Sequence, residues 1–151
     1  MKKIIILLTV LLVIIMSGCT ADAPDVSLDE IAEEIRETIN IEGVIKLTNS
    51  DLLSVYGIFD ADIEEQASFT AMNGIFPDEV IVIKATDDSA LERIKAKLDT
   101  RLSEVMNQSK SYDAEGYAIA QKCAVNIHGL YIALFVSRAH EQMTEIYNSH
   151  F

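Results

Sequence analysis

Three histidines, two cysteines and a run of carboxylates are the side chains of this sequence that could do chemistry. Nucleophilic hydrolysis needs Ser or Cys beside a base that a third group orients. His128, His140 and His150 stand in no Gly-x-Ser-x-Gly or Cys-His context. His140 and His150 are ten residues apart, on or beyond one terminal helix. That spacing turns them about 80° from one another around a 3.6-residue helix, so they do not converge on a metal. Asp60, Asp62, Glu64 and Glu65 suggest a calcium loop, which needs Gly at its sixth position and Glu at its twelfth. Counted from Asp60, those positions hold Glu65 and Ala71, and the expectation becomes a solvated acidic turn or helix start. Paired carboxylates are common in so acidic a chain and specify nothing. There is no Gly-rich phosphate loop and no tryptophan. The expectation is a protein that is not an enzyme and takes neither a metal nor a cofactor.

The cations are fewer and more selective. Arg93, Lys95, Lys97 and Arg101 share one helix, read at 88–109, which is the densest positive charge in the chain. Two readings stand. They balance neighbouring carboxylates, Glu92 and Asp99 among them, or Arg93 and Arg101 form a site for an anionic ligand or partner surface. Tyr112, just beyond, is a third candidate contact, and Phe69, Phe76 or Tyr112 is expected to supply an exposed aromatic patch.

Cys19 has its own chemistry, set by what precedes it. Lys2 and Lys3 open the chain, Ile4 to Met16 is apolar but for Thr9, and Met16-Ser17-Gly18-Cys19 closes the stretch. That is the layout of an export signal, and a run of thirteen residues falls short of the roughly twenty that a spanning helix needs. The last four residues resemble the lipobox of bacterial lipoproteins, with Met16 where Leu is usual. The resemblance implies cleavage before Cys19, diacylglycerol on its sulfur, palmitate-type acyl chains and anchorage on the outer face of the cell membrane. Two acyl chains hold far better than one, at about 0.8 kcal/mol per buried CH₂. The expected organisation is a signal peptide over 1–18, a lipidated Cys with a short tether over 19–26, and a single domain over 27–151.

Net charge is −12 for 151 residues, and loss of Lys2 and Lys3 leaves 10 basic residues against 24 acidic, or −14. Such a domain is repelled by nucleic acid, which excludes it as a partner. With Cys19 consumed, Cys123 is alone and no disulfide can form within the domain. In a strand-like apolar run, Cys123 reads as a small buried hydrophobe.

The remaining pattern is one of alternating helices and strands. Ser27-Leu28-Asp29-Glu30 is a capping box ahead of Leu28, Ile31, Ala32, Ile35 and Ile39 at helical spacing, which gives a helix over 28–39. A second, shorter helix starts at Thr48 or Asn49 and ends at Gly57. Residues 66–73 alternate as a half-buried strand, Asn73-Gly74 and Pro77-Asp78 bracket a turn, and 79–85 is a strand apolar on both faces. Thr86-Asp87-Asp88-Ser89 caps the long helix, and a polar break follows over 111–116. Residues 123–128 and 130–136 form a second hairpin about Asn126–Gly129, and a last helix starts at Ser137 or Arg138. The expected fold is α+β in the order α-α-β-β-α-β-β-α. Two hairpins make a four-stranded antiparallel sheet, with helices packed mainly on one face.

Several short patterns, in this order, resemble one bacterial lipoprotein family. They are Leu28-Asp29-Glu30-Ile31-Ala32, Leu53 with Tyr56-Gly57-Ile58, Asp78 to Ala85, the helix carrying Arg101 before Tyr112, and Gly129 to Ser137. The family is known as domain of unknown function 4358, and the resemblance spans about 27–151. It implies a secreted lipoprotein domain with no assigned activity and no catalytic residues to carry over. Asp113-Ala114-Glu115-Gly116 departs from the Pro-containing segment expected there. The functional expectation is a binding or interaction module of the cell envelope with a protein partner. Small-molecule capture is the alternative, and a hydrolase is the least favoured reading.

Overall fold

A computed structural model describes residues 26–72 and 76–151. The leader, Cys19, the tether up to Asp25 and the Asn73-Gly74 turn lie outside the described residues.

Helix α1 (Leu28–Ile39) begins where the Ser27 hydroxyl accepts from the Glu30 amide, and it ends at Asn40 in the left-handed region, φ 57°. Strand β1 (Val44–Lys46) follows, then a capping box in which Thr48 and Asp51 satisfy each other's amides. That box opens the single turn α2 (Asn49–Asp51), which continues as a π-helical segment, Leu52–Tyr56, closed by Gly57 at φ 68°. A 3₁₀ turn (Asp60–Asp62) leads into β2 (Ile63–Gln66), β3 (Phe69–Ala71) and β4 (Asp78–Ala85). The long helix α3 (Asp88–Tyr112) is capped by Asp87 and runs three residues past its predicted end. Helix α4 (Ala114–Ala120) restarts at once, because the Asp113 carboxylate accepts from the Gly116 amide. Strands β5 (Val125–His128) and β6 (Tyr131–Val136) are joined at Gly129-Leu130, and α5 (His140–Ser149) follows.

All strand pairs are antiparallel, in the order β1-β3-β4-β6-β5, with β2 also on β4. The fold is therefore α+β, but among the described residues the sheet has six strands, not four. Two extra strands explain the difference. Val44-Ile45-Lys46 is too short for a periodic signal, and it pairs with β3 (Val44 opposite Ala71). The strand read at 66–73 shortens to β3, and β2 forms over Ile63–Gln66, mostly where an acidic turn or helix start was expected; the two lie end to end along β4. The element order is accordingly α-β-α-β-β-β-α-α-β-β-α.

The break between β2 and β3 is bridged by side chains. The Ala67 amide donates to the Val82 carbonyl at 3.0 Å, and the Val82 amide donates to Ser68 Oγ at 3.2 Å. Gln66 accepts from the Ser68 amide and donates to the Leu47 carbonyl, both at 2.9 Å. A buried hydroxyl thus takes the place of a ladder partner.

The helices cover both faces of the sheet, which corrects the one-sided expectation. Val80 and Val82 of β4, with Ala133 and Phe135 of β6, meet Leu28, Ile31 and Ile35 of α1 and Met143 and Tyr147 of α5. Ile81, Ile83, Ile132 and Leu134 meet Ile94, Leu98 and Leu102 of α3 and Leu52 of the π-helical segment. Successive strand residues point to opposite faces, so strands apolar throughout require cover on both sides.

Candidate functional site

Strand alternation puts Glu79 on the α3 face with Ile81 and Ile83, where it is only 2% exposed. A carboxylate there needs a cation and hydrogen-bond donors. Arg101 supplies two nitrogens, Nη2 to Oε1 and Nε to Oε2 at 3.1 Å. Tyr56 donates its hydroxyl to Oε2 at 3.2 Å. The Arg101 guanidinium also lies 5.5 Å from the Tyr56 ring centroid, within cation–π range, and 3.7 Å from Glu104. The Glu79 hydrogen bonds hold the Arg101 guanidinium above its ordinary pKa. Burial, and then the Glu79 charge, push the Tyr56 phenol upward. The trio ties α3 and the π-helical segment to the start of β4.

Arg93 is held at the other end of the same helix. It grips Asp62 through Nη2 at 2.7 Å and Nε at 3.2 Å. Asp62 is buried, not the solvated acid expected of that turn. Its hydrogen bonds from Arg93 hold its carboxyl below the ordinary range. Lys95 pairs with Asp99 at 2.6 Å. Arg93 and Arg101 thus form no joint site. Each closes on its own carboxylate, eight residues apart on α3.

Tyr112 is 93% exposed at the end of α3. It borders a shallow groove of about 160 Å³ with Pro77, Arg101, Val105 and Ser109. Phe69 and Phe76 are buried, so they do not form the expected exposed patch. Phe76 instead packs on Gly116, where a Cβ would collide first with the Asp113 carboxylate and would lie 2.6 Å from the Phe76 ring.

Sequence reasoning missed a second cleft, of about 120 Å³, between α1 and the β1–β3 edge. Ala32, Val44, Ala67 and Phe69 line it together with the carboxylates Asp29 and Glu33 and the cations Arg36 and Lys46, and Arg36 is paired with Glu33. The β1 strand that forms one wall gave no signal of its own, so neither did the cleft.

The histidines are scattered. His128 lies 2.9 Å from Asn148 and stacks on Phe151, and His150 meets Glu34 at 2.9 Å. Cys123 is buried in the turn ahead of β5, not in a strand, and burial pushes its thiol upward. Among the described residues, no group of three or more His, Cys, Asp or Glu could hold a metal ion. Among the same residues, no helix is long and apolar enough to cross a membrane.

The family described as Domain of unknown function (DUF4358) matches residues 37–137. The chain belongs to that family. The matched DUF4358 segment is narrower than the resemblance drawn over 27–151. It holds all six strands, the Tyr56–Glu79–Arg101 trio, the Arg93–Asp62 pair and Tyr112. Most of α1 and all of α5 lie outside it. No curated protein and no solved structure matches the chain.

Proposed function

We propose that this DUF4358 chain is a lipoprotein of the cell envelope, anchored through a diacylglyceryl group on Cys19 at the outer face of the cell membrane. In this reading its folded domain works as a binding module for an envelope protein and not as an enzyme. The observation that carries it is Met16-Ser17-Gly18-Cys19 in register behind Lys2-Lys3 and an apolar run. Support for a binding role comes from Tyr112, a large aromatic side chain left almost wholly in water beside a groove. Expression with an alkyne-tagged palmitate tests the anchor. The chain is expected to carry the tag and sediment with membranes, and Cys19→Ala is expected to lose both. Label-free membrane association, or label retained in Cys19→Ala, refutes it. Crosslinking and capture from solubilised membranes tests the binding role, with Tyr112→Ala reducing recovery of the partner. Recovery equal to that of an unrelated lipid-anchored control refutes it.

A second reading, small-molecule capture, is favoured by the cleft between α1 and β1. Lys46 gives it a cationic group beside apolar walls, while Arg36 is engaged by Glu33 and Glu37 and the Asp29 and Glu33 carboxylates also line it, which suits an amphipathic ligand with a single anionic group. Arg93 and Arg101 suit that role less, because each is engaged by a carboxylate. A thermal-shift screen against amphipathic carboxylates, with Lys46→Ala as control, decides this reading. A shift that Lys46→Ala abolishes favours it, and no shift counts against it.

A further inference from the structure

The two ends of the sheet are unequal. Val26 enters the described domain with its amide 3.3 Å from the Tyr131 hydroxyl. Tyr131 opens β6, opposite His128 of β5 and Lys84 of β4. The same end holds the Gly129-Leu130 turn, whose Leu130 carbonyl accepts from the Ala85 amide at 2.9 Å. It also holds Thr86, bonded to the Asp62 carbonyl at 3.1 Å, and the start of α3. Two exposed aromatics lie there, Phe59 beside Asp62 and Phe151 against Tyr131. The opposite end carries Glu79 across from Val136, Asp78 bonded to Ser137, and α3 running on past Arg101 to Tyr112.

We infer that the end carrying Val26, Tyr131 and the β5–β6 turn faces the lipid surface, and that the Tyr112 end is displayed away from it. The inference rests on the lipid anchor proposed above and follows from reach. Cys19 to Val26 is seven residues, at most about 25 Å fully extended. The eight residues of β4 span about 26 Å. With the Tyr112 end on the bilayer, Val26 would stand at the limit of the tether, which would have to be held straight at a cost in chain entropy. With the Tyr131 end down, the tether keeps its freedom. The groove beside Tyr112 is then what a partner approaching from outside meets first.

Ser89 and Ser111 report the two ends from one helix. Both are exposed, and their 22-residue separation is about 33 Å of helix. In a Cys123→Ala background, Ser89→Cys and Ser111→Cys would each be labelled with a fluorophore. The lipidated full-length proteins would be placed in phosphatidylcholine vesicles containing lipids with nitroxide headgroups. Thermal melts matching the parent confirm the fold of each variant. Quenching is expected to be at least about twofold stronger at residue 89, as a separation of about 33 Å requires. Ten Gly/Ser residues inserted after Asp25 should shrink the difference, because the longer tether frees the domain. Equal or reversed quenching in palmitate-labelled protein overturns the orientation and leaves the anchor standing. Protein that takes up no palmitate and stays off the vesicles fails the anchor reading and the orientation with it.

Discussion

Arg101 and Glu79, on α3 and β4, close on each other through two nitrogen–oxygen contacts, the carboxylate buried and the guanidinium partly buried at the edge of the Tyr112 groove. Removing one member of such a pair strands the other as an uncompensated charge. Arg101→Ala is therefore expected to lower the free energy of unfolding by about 3 kcal/mol, the lower part of the range for broken buried pairs. Urea denaturation with unchanged slope checks it. A loss under about 1 kcal/mol, the range of exposed pairs, would mean that Glu79 keeps its hydration.

Two buried tyrosines should respond oppositely to loss of the hydroxyl. Tyr56 donates to Glu79, so Tyr56→Phe is expected to cost about 1–2 kcal/mol. The Tyr147 hydroxyl is buried with no partner among the described residues, and burial pushes its phenol upward. Tyr147→Phe removes a polar group that gains nothing from the fold, and its melting temperature is expected to equal or exceed the parent's.

Ser68 fills a gap in the hydrogen-bond ladder. Ser68→Ala leaves the buried Val82 amide without its 3.2 Å acceptor, at an expected cost of about 1–3 kcal/mol. Hydrogen exchange at the Val82 amide should accelerate more than at Ile81. Unchanged protection there would show that another acceptor moves in.

Acid should reach the Arg93–Asp62 contact late. Asp62 has a depressed pKa in the fold, so its contribution is fully present above the ordinary carboxylate value of 3.8. It is lost as pH falls through the lower folded value. Asp62→Asn is expected to be less stable than the parent at pH 6, with the difference narrowing below pH 3.8. Parallel stability curves from pH 6 to pH 2 would refute this linkage.

The helices were largely legible in the sequence because their signals are local. Ser27 with Glu30, and Ile31 with Ile35, define α1 without help from the rest of the chain. The layer order was legible too, in a signal that pointed past the expected one-sided sheet. Val80, Ile81, Val82 and Ile83 are all apolar, and adjacent strand residues face opposite ways, so no single layer of helices could cover them. Glu79 carried a second signal. A carboxylate in phase with Ile81 and Ile83 has to find a buried cation, and Arg101 is a near choice on the helix that follows. What the sequence withheld was pairing at short range. Val44-Ile45-Lys46 becomes a strand only because Phe69–Ala71 lies beside it, and the cleft against α1 exists only once that strand is in place.

The division of the core between the two faces of the sheet bears on how this domain can be cut. The DUF4358 match begins inside α1 and stops one residue beyond β6. A fragment trimmed to 37–137 would keep the face under α3 and strip the other bare. Val80, Val82, Ala133 and Phe135 would then form a flat apolar surface in water, an invitation to sheet-on-sheet aggregation. The family boundary marks where sequence similarity can be recognised, while the smallest unit that covers both faces of the sheet includes the flanking helices that similarity does not reach.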